Sequence, residues 1–205
     1  LTPHAEYHKY SFPRHYRFWL DTYVFNFSSA SPQFAQWQRT YLGTLKKAAV
    51  LMGKNRSLLK SPATMANLNV VLELFPNAKF ILIKRNPYKV LPSQINLHQT
   101  MVNKYALETI SAEEITEFAL HQYEGYMHGY LQNKHLIPQG NLIEIRYEDF
   151  VQDRLQWLRR IYEQLGLGDI DSRKASLEAY LSSIENYEAH QFSIDPTLKQ
   201  QMDTR

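Results

Sequence analysis

One short run of β-prone residues constrains this chain more than any other feature. Phe80, Ile81, Leu82 and Ile83 follow one another between two lysines. An uninterrupted apolar run of this length is typical of a parallel strand that is covered on both faces. The sequence Leu-Ile-Glu-Ile-Arg at 142–146 predicts a second strand. Residues 56–60 predict a further short strand, in which the two leucines would be buried.

Helical patterns separate the predicted strands. Apolar residues at helical spacing, with Ser-Pro starts and glycine ends, predict these helices: 32–53, 61–75, one from Pro87 onward, 112–133, 153–165 and 172–183. The aromatic-rich residues 1–31 predict a packed, irregular segment with short helices, or alternatively a wall of an acceptor pocket. Three alternations of strand and helix predict a single α/β domain over residues 1–205, with three αβα layers and a mostly parallel sheet.

Composition excludes several classes of function. The chain contains no cysteine, which removes disulfides, thiolate metal sites and cysteine nucleophiles and suits a reducing cytoplasm. Its net charge of +3 is too small to indicate nucleic-acid binding, and no apolar run approaches the roughly 18 residues of a membrane helix. His121, His128 and His135 recur every seven residues, about 10 Å apart on a helix, so we expect no shared metal site.

The residues that directly follow the predicted strands are the candidates for ligand binding, because ligands bind beyond the carboxyl ends of parallel strands. Arg85 follows one strand and precedes a helix whose free N–H groups would help to hold a phosphate or sulfate. Ser93, eight residues on, could reach the same anion. Lys60 follows another strand. The alternatives are an arginine paired with a carboxylate and a solvated lysine.

Four ordered pieces of sequence together resemble the sulfotransferase superfamily. They are Leu-Leu-Lys-Ser-Pro at 58–62, Leu-Phe-Pro-Asn-Ala-Lys-Phe-Ile at 74–81, Arg85-Asn86-Pro87 with Ser93, and Arg-Tyr-Glu-Asp-Phe at 146–150 with Ile161-Tyr162 and Leu165-Gly166-Leu167. The resemblance implies a fold like that of P-loop nucleotide hydrolases. It also implies that a sulfuryl group moves from 3′-phosphoadenosine-5′-phosphosulfate to a hydroxyl or amine of a sugar, lipid, peptide or small molecule.

The resemblance also implies roles for individual residues. Arg85 and Ser93 match the pair that holds the 3′-phosphate, and Tyr147 matches the tyrosine that contacts the adenine. Lys60 matches a lysine near the transferring group, whose charge would stabilise the sulfuryl oxygens or the leaving phosphate. The C-terminal stretch 187–199 is predicted to close over the nucleotide, with His190 and Lys199 as further candidates for contacts.

Three departures separate this sequence from the family pattern. Thr64 stands where many relatives carry a histidine, so no general base is identified, and Asn86 replaces a common aspartate. The glycine-rich loop that holds the 5′-phosphosulfate has no counterpart, so the chain resembles a member that lacks its first strand and phosphate loop. We therefore expect residues 1–205 alone to be inactive. We also expect a groove in the sheet, lined by Leu58, Leu59, Ile81 and Ile83.

Two other functions stay open at this point. One is a P-loop kinase that uses ATP, although the spacing of Arg85 and Ser93, together with Tyr147, fits a 3′-phosphate and an adenine better than a γ-phosphate. The other is a non-catalytic module that binds the nucleotide or a partner protein. The missing phosphate loop favours this second alternative for the chain as it stands.

Overall fold

The computed structural model describes residues 7–184 and 192–204. Its internal contacts divide the chain into two units. The first unit contains Leu1–Pro76 and Gln94–Leu136, and the second contains Asn77–Ser93 and Ile137–Arg205. Helices dominate both units, and a small parallel sheet lies in the second.

The first unit is built around a long helix. Its helices, with α5 shared between the units, are α1 His8–Ser11, a 3₁₀ turn at Pro13–His15, α2 Tyr16–Leu20, a π turn at Asp21–Phe25, α3 Phe34–Met52, a 3₁₀ turn at Pro62–Met65, α4 Leu68–Leu74, α5 Pro87–Tyr105, α6 Ala112–Asn133 and a 3₁₀ turn at Lys134–Leu136. Helix α6 begins at a capping box in which Ser111 and Glu114 exchange hydrogen bonds of 3.2 and 2.8 Å. Its Ile115 and Phe118 are fully buried against Leu20 and Val24 of the N-terminal segment.

The second unit places two parallel strands beside helices. Its elements are β1 Phe80–Lys84, β2 Leu142–Arg146, α7 Tyr147–Gln152, α8 Arg154–Leu165, a 3₁₀ turn at Asp171–Arg173, α9 Lys174–Ser183 and α10 Pro196–Asp203. The register runs from Phe80 opposite Leu142 to Lys84 opposite Arg146. Ile143 and Ile145 of β2 are buried in a cluster that α8 completes with Ile161 and Leu165.

Most of the predicted elements are confirmed. Helix α6 and strand β2 have the predicted bounds, α8 ends at Gly166 in the left-handed conformation, and α3 ends in the same way at Gly53. The N-terminal segment consists of short helical turns, as expected. The helix-rich α/β class is confirmed, whereas the likeness to P-loop nucleotide hydrolases stays a prediction.

Two predictions about strands are wrong. Residues 56–60 form no strand but an exposed, irregular segment, because β-prone residues form a strand only where neighbours bury their side chains. Strand β1 is not covered on both faces, since Ile81 and Ile83 are 40% and 50% exposed. Leu58 and Leu59 are exposed as well. The groove that would join these four side chains stays a prediction.

Within the described ranges, no helix is long and apolar enough to cross a membrane.

A glycine in α6 allows a close approach of backbones. A Cβ atom added at Gly129 would lie 2.6 Å from the Cα atom of Ala66, closer than van der Waals contact allows. We expect Gly129→Ala to lower the free energy of unfolding by about 1–3 kcal/mol, the usual cost of overpacking. Urea unfolding measures this change.

Gly43→Ala is the matched control. Gly43 also lies within a helix, but a Cβ added there meets nothing within 4 Å. Its replacement should raise the free energy of unfolding by about 0.5–1 kcal/mol, because alanine restricts the unfolded chain and favours the helix. Equal effects of the two substitutions would contradict the close contact between α6 and Ala66.

Candidate functional site

The paired strands bring two predicted site residues together. Lys84 and Arg146 are opposite each other in the register, so the residues that follow them, Arg85 and Tyr147, leave the sheet side by side. The guanidinium carbon of Arg85 lies 4.5 Å from the centre of the Tyr147 ring. Both side chains are half-buried. A cation over the face of an aromatic ring is attracted by the ring electrons, so this contact holds the guanidinium beside Tyr147.

Asn86 and Glu148 form a second link between the same strand ends. The backbone N–H of Asn86 donates to Oε1 of Glu148 over 3.2 Å. Asn86 also caps α5: its side-chain oxygen accepts from the N–H of Tyr88, and its carbonyl accepts from Lys89 and Val90. Free N–H groups were predicted at this helix start, and that prediction is wrong. Because Pro87 has no N–H and its neighbours are bonded, an anion here depends on side-chain donors.

The acidic side chain at this site is held in its charged form. Hydrogen bonds from its own N–H and from the N–H of Asn86, followed by the charges of Arg146 and Arg85, keep the pKa of Glu148 below its ordinary value. The carboxylate therefore stays ionised at neutral pH and occupies the N-terminus of α5, where a helix favours negative charge. This role of Glu148 was not predicted from the sequence. Its position directly after Tyr147 is the sequence signal that could have indicated it.

Ser93 lies further along α5 in the same unit. It is half-buried and follows the buried Pro92. Since proline has no N–H, the carbonyl of Tyr88 loses its helical partner at this turn. Ser93 is six positions after Pro87, which places it about 9 Å along the helix axis. Its predicted contact with the anion of Arg85 stays a prediction.

The C-terminal helix reaches the start of α5. Asp203 of α10 accepts a short hydrogen bond from the Tyr88 hydroxyl and pairs with Lys199, whose ammonium lies 5.3 Å from the Tyr88 ring centre. Hydrogen bonding to Asp203 raises the pKa values of both Tyr88 and Lys199. Lys199 thus contacts a residue close to Asn86, and it belongs to the stretch predicted to contact the ligand. His190 lies outside the described residues.

Lys60 belongs to the first unit. It is exposed at the end of the irregular segment, immediately before Ser61 and the 3₁₀ turn at Pro62–Met65. The carbonyl of Ser61 accepts from the N–H of Thr64, which holds the turn. These contacts describe the backbone beside Lys60 and do not test its ammonium group, so a catalytic role for Lys60 stays a prediction.

The first of the three spaced histidines, His121 on α6, makes structural contacts. His121 bonds Asp21 through Nε2 and Arg17 through Nδ1, each over 3.0 Å. Because arginine only donates, Nδ1 must accept, and the proton of the neutral ring lies on Nε2. No group of three or more potential metal ligands occurs in the described part of the chain.

Comparisons with known proteins identify relatives. A family model described as "Sulfotransferase family" matches residues 4–171. Omega-hydroxy-beta-dihydromenaquinone-9 sulfotransferase Stf3 from Mycobacterium bovis is 30% identical over 158 residues, which is 77% of this chain and 40% of that protein. The Mycobacterium tuberculosis protein of the same name matches equally. The chain thus spans about 40% of the length of these curated relatives. No solved structure matches.

The link between Asn86 and Glu148 predicts a pH-dependent contribution to stability. Because the folded pKa of Glu148 is below the unfolded value, the carboxylate stabilises the fold above the unfolded pKa, and this contribution is lost as the pH falls through the folded pKa. Glu148→Gln should therefore be less stable than the parent at pH 7, and the difference should shrink in acid. Urea unfolding across this pH range measures it.

Glu163→Gln, an exposed position on α8, is the control for loss of one negative charge. It should show a smaller difference at pH 7 and a weaker change with pH. If Glu148→Gln and the control behave alike at every pH, the carboxylate does not hold the start of α5.

Proposed function

Because this chain belongs to the sulfotransferase family, we propose that it forms the nucleotide-binding part of an enzyme that uses 3′-phosphoadenosine-5′-phosphosulfate. The enzyme transfers the sulfuryl group to a hydroxyl or amine acceptor. One observation carries the proposal: Arg85 lies over the ring of Tyr147 at the carboxyl ends of two parallel strands. This geometry provides an aromatic surface for a base and a fixed cation for a phosphate within one small site.

The charge of the site favours a phosphate bound by side chains. The N–H groups around the start of α5 are bonded to Glu148 and Asn86, so the guanidinium of Arg85 supplies the main donors. Its planar fork can give two parallel hydrogen bonds to phosphate oxygens. Ser93 would add a hydroxyl donor, and Tyr147 would contact the adenine. The 3′-phosphate is the feature of the nucleotide that this arrangement would select.

Lys60 would act on the transferring group. As the bond between sulfur and the leaving phosphate oxygen breaks and the bond to the acceptor oxygen forms, negative charge grows on the leaving oxygen. A positioned ammonium stabilises that charge. As in phosphoryl transfer, positioning and charge stabilisation would provide most of the catalysis. The acceptor proton must leave during transfer, and no residue of this chain is assigned to receive it.

The acceptor is proposed from the relatives. The name of these enzymes describes a hydroxylated dihydromenaquinone as the substrate, which is a hydrophobic molecule that carries a hydroxyl group. We extend that class, a lipid hydroxyl, to this chain.

A second candidate function is a nucleotide-binding module without catalysis. The observation that favours it is that the seven glycines are scattered, with no glycine-rich phosphate loop in the sequence.

Arg85→Ala tests the phosphate site. The parent should bind 3′-phosphoadenosine 5′-phosphate more tightly than AMP, which differs by the 3′-phosphate. The variant should lose about 1.5–3 kcal/mol of binding free energy for the bisphosphate, the value of a charge-assisted hydrogen bond, and little for AMP. Arg85→Lys should fall between, because it keeps the charge and loses the planar fork. Calorimetry on the full-length protein measures these affinities.

Arg160→Ala is the matched control. Arg160 is also stacked on an aromatic ring, with its guanidinium carbon 5.0 Å from the ring centre of Trp157, but it lies on α8 and does not follow a strand. Its replacement should leave the preference for the bisphosphate unchanged. Equal affinity of the parent for AMP and the bisphosphate would remove the basis for the 3′-phosphate site.

Lys60→Ala tests the role of the lysine in sulfuryl transfer. If the ammonium acts on the transition state, kcat should fall about 100-fold while the nucleotide dissociation constant changes little. Lys104→Ala, an exposed lysine near the end of α5, is the control. Unchanged turnover would make Lys60 a surface residue, and lost nucleotide binding with a normal kcat would make it a binding residue.

A further inference from the structure

The C-terminal end of α3 exposes three consecutive apolar side chains. Val50, Leu51 and Met52 are 81%, 86% and 72% exposed. Isolated exposed apolar residues are ordinary on a protein surface, but a contiguous group is typical of an interaction site. We call this group, with Lys46, Lys47 and Lys54, the α3 tip.

Helical spacing sets basic side chains beside the apolar ones. Lys46 and Val50 are four residues apart, as are Lys47 and Leu51, so each pair shares a face. All four are exposed. Arg39 lies seven residues before Lys46, two turns away on the same face, and is exposed as well. This side of α3 therefore carries cations along its length and ends in apolar side chains.

The packing of α3 explains why its end is exposed. Phe34 and Trp37, in its first turns, pack against Phe27, Val70 and Leu74, and Tyr41 stacks on Trp37. None of residues 42–52 belongs to a hydrophobic cluster of the described chain. The helix is thus anchored at its N-terminal half.

A defined turn ends the helix. Gly53 is left-handed, its N–H bonds the carbonyl of Val50, and the N–H of Lys54 bonds the carbonyl of Ala49. This pair of bonds is a Schellman motif, which fixes the end of the helix. The backbone of the tip is therefore fixed at the end of the helix, whereas its side chains are exposed.

The sequence around the tip contains no acidic residue. Between Asp21 and Glu73 there is no aspartate or glutamate, while the same stretch holds six cations: Arg39, Lys46, Lys47, Lys54, Arg56 and Lys60. The chain as a whole has a net charge of +3, so the rest of it carries −3. The positive charge is therefore concentrated in the part of the sequence that contains the tip.

We propose that the α3 tip docks onto an anionic lipid surface. Apolar side chains that enter the boundary of headgroups and acyl chains, flanked by lysines that meet the headgroups, are the combination that binds peripheral proteins to membranes. The proposal concerns membrane docking and does not depend on sulfuryl transfer.

Neither the helix dipole nor self-association accounts for the whole tip. Lysines in the last turn of a helix stabilise the helix dipole, but Lys46 and Lys47 precede the last turn of α3. The dipole also does not explain the exposed apolar side chains. A second copy of the chain on a two-fold axis would place the lysines of one tip against those of the other, and like charges repel. An anionic lipid surface satisfies both the charge and the apolar area.

Vesicle sedimentation of the full-length protein tests the proposal. The protein should bind vesicles of mixed phosphatidylcholine and phosphatidylglycerol much more tightly than vesicles of phosphatidylcholine alone, and salt should weaken the binding. Replacing Lys46, Lys47 and Lys54 together by glutamine should weaken it about 100-fold, or about fivefold for each cation. Val50→Ser with Leu51→Ser should weaken it at least about tenfold.

Two matched controls lie outside the tip. Lys104→Gln removes one exposed cation, and Leu131→Ser removes an exposed leucine on α6. Each should leave vesicle binding within about twofold of the parent. Equal binding to neutral and anionic vesicles, or equal losses in the tip variants and the controls, would overturn the proposal.

A labelled tip gives an independent measurement. Residues 1–205 contain no cysteine, so Leu51→Cys, in full-length protein whose other cysteines, where present, are replaced by serine, carries an environment-sensitive fluorophore at a known place. The label should react readily in solution and shift to shorter wavelength when anionic vesicles are added. A thiol that reacts only after unfolding would show that protein covers the tip, and an unshifted label on vesicle-bound protein would show that another surface docks. Either result contradicts the proposal.

Discussion

The parallel pairing of β1 with β2 is the constraint on which the site depends. Because the register matches Lys84 with Arg146, the two strands leave the sheet at the same level. Arg85 can then lie over the Tyr147 ring. A slip of one residue would turn the side chains of one strand to the opposite face and remove the stacking. The buried Ile143 resists such a slip, since it would have to leave the cluster with α8.

The carboxylate of Glu148 partly neutralises the positive charge of the site. It satisfies the N–H of Asn86 and lies near Arg85 and Arg146, so the local positive charge is partly neutralised before any ligand arrives. A bound phosphate would share this environment with the carboxylate. Binding therefore has to come from donors that Glu148 does not use, and the guanidinium of Arg85 is the one that lies over the Tyr147 ring. The cost of bringing a second negative charge close is offset only if that guanidinium contacts the phosphate directly.

Local patterns predicted much of this structure. The period of α6, the apolar run of β1 and the glycine after α8 each specify an element within a few residues, and those elements formed as expected. The strand predicted at 56–60 did not form, because a strand needs neighbours that bury its side chains, and local sequence does not show whether they exist. The stacking of Arg85 on Tyr147 depends on register between segments about sixty residues apart, so adjacency could be expected but not the contact.

Membrane docking and nucleotide binding require different arrangements of side chains in the same chain. A site that selects one nucleotide needs fixed donors, and Arg85 is held by stacking on a ring and by the end of a paired strand. A lipid surface has no fixed geometry, so the α3 tip needs only exposed apolar side chains and cations in one region. That difference explains why residues 22–72 can contain six cations and no carboxylate of their own. An acidic partner would fix each lysine of the tip in one place, whereas headgroups that move with the membrane are met best by lysines that can follow them.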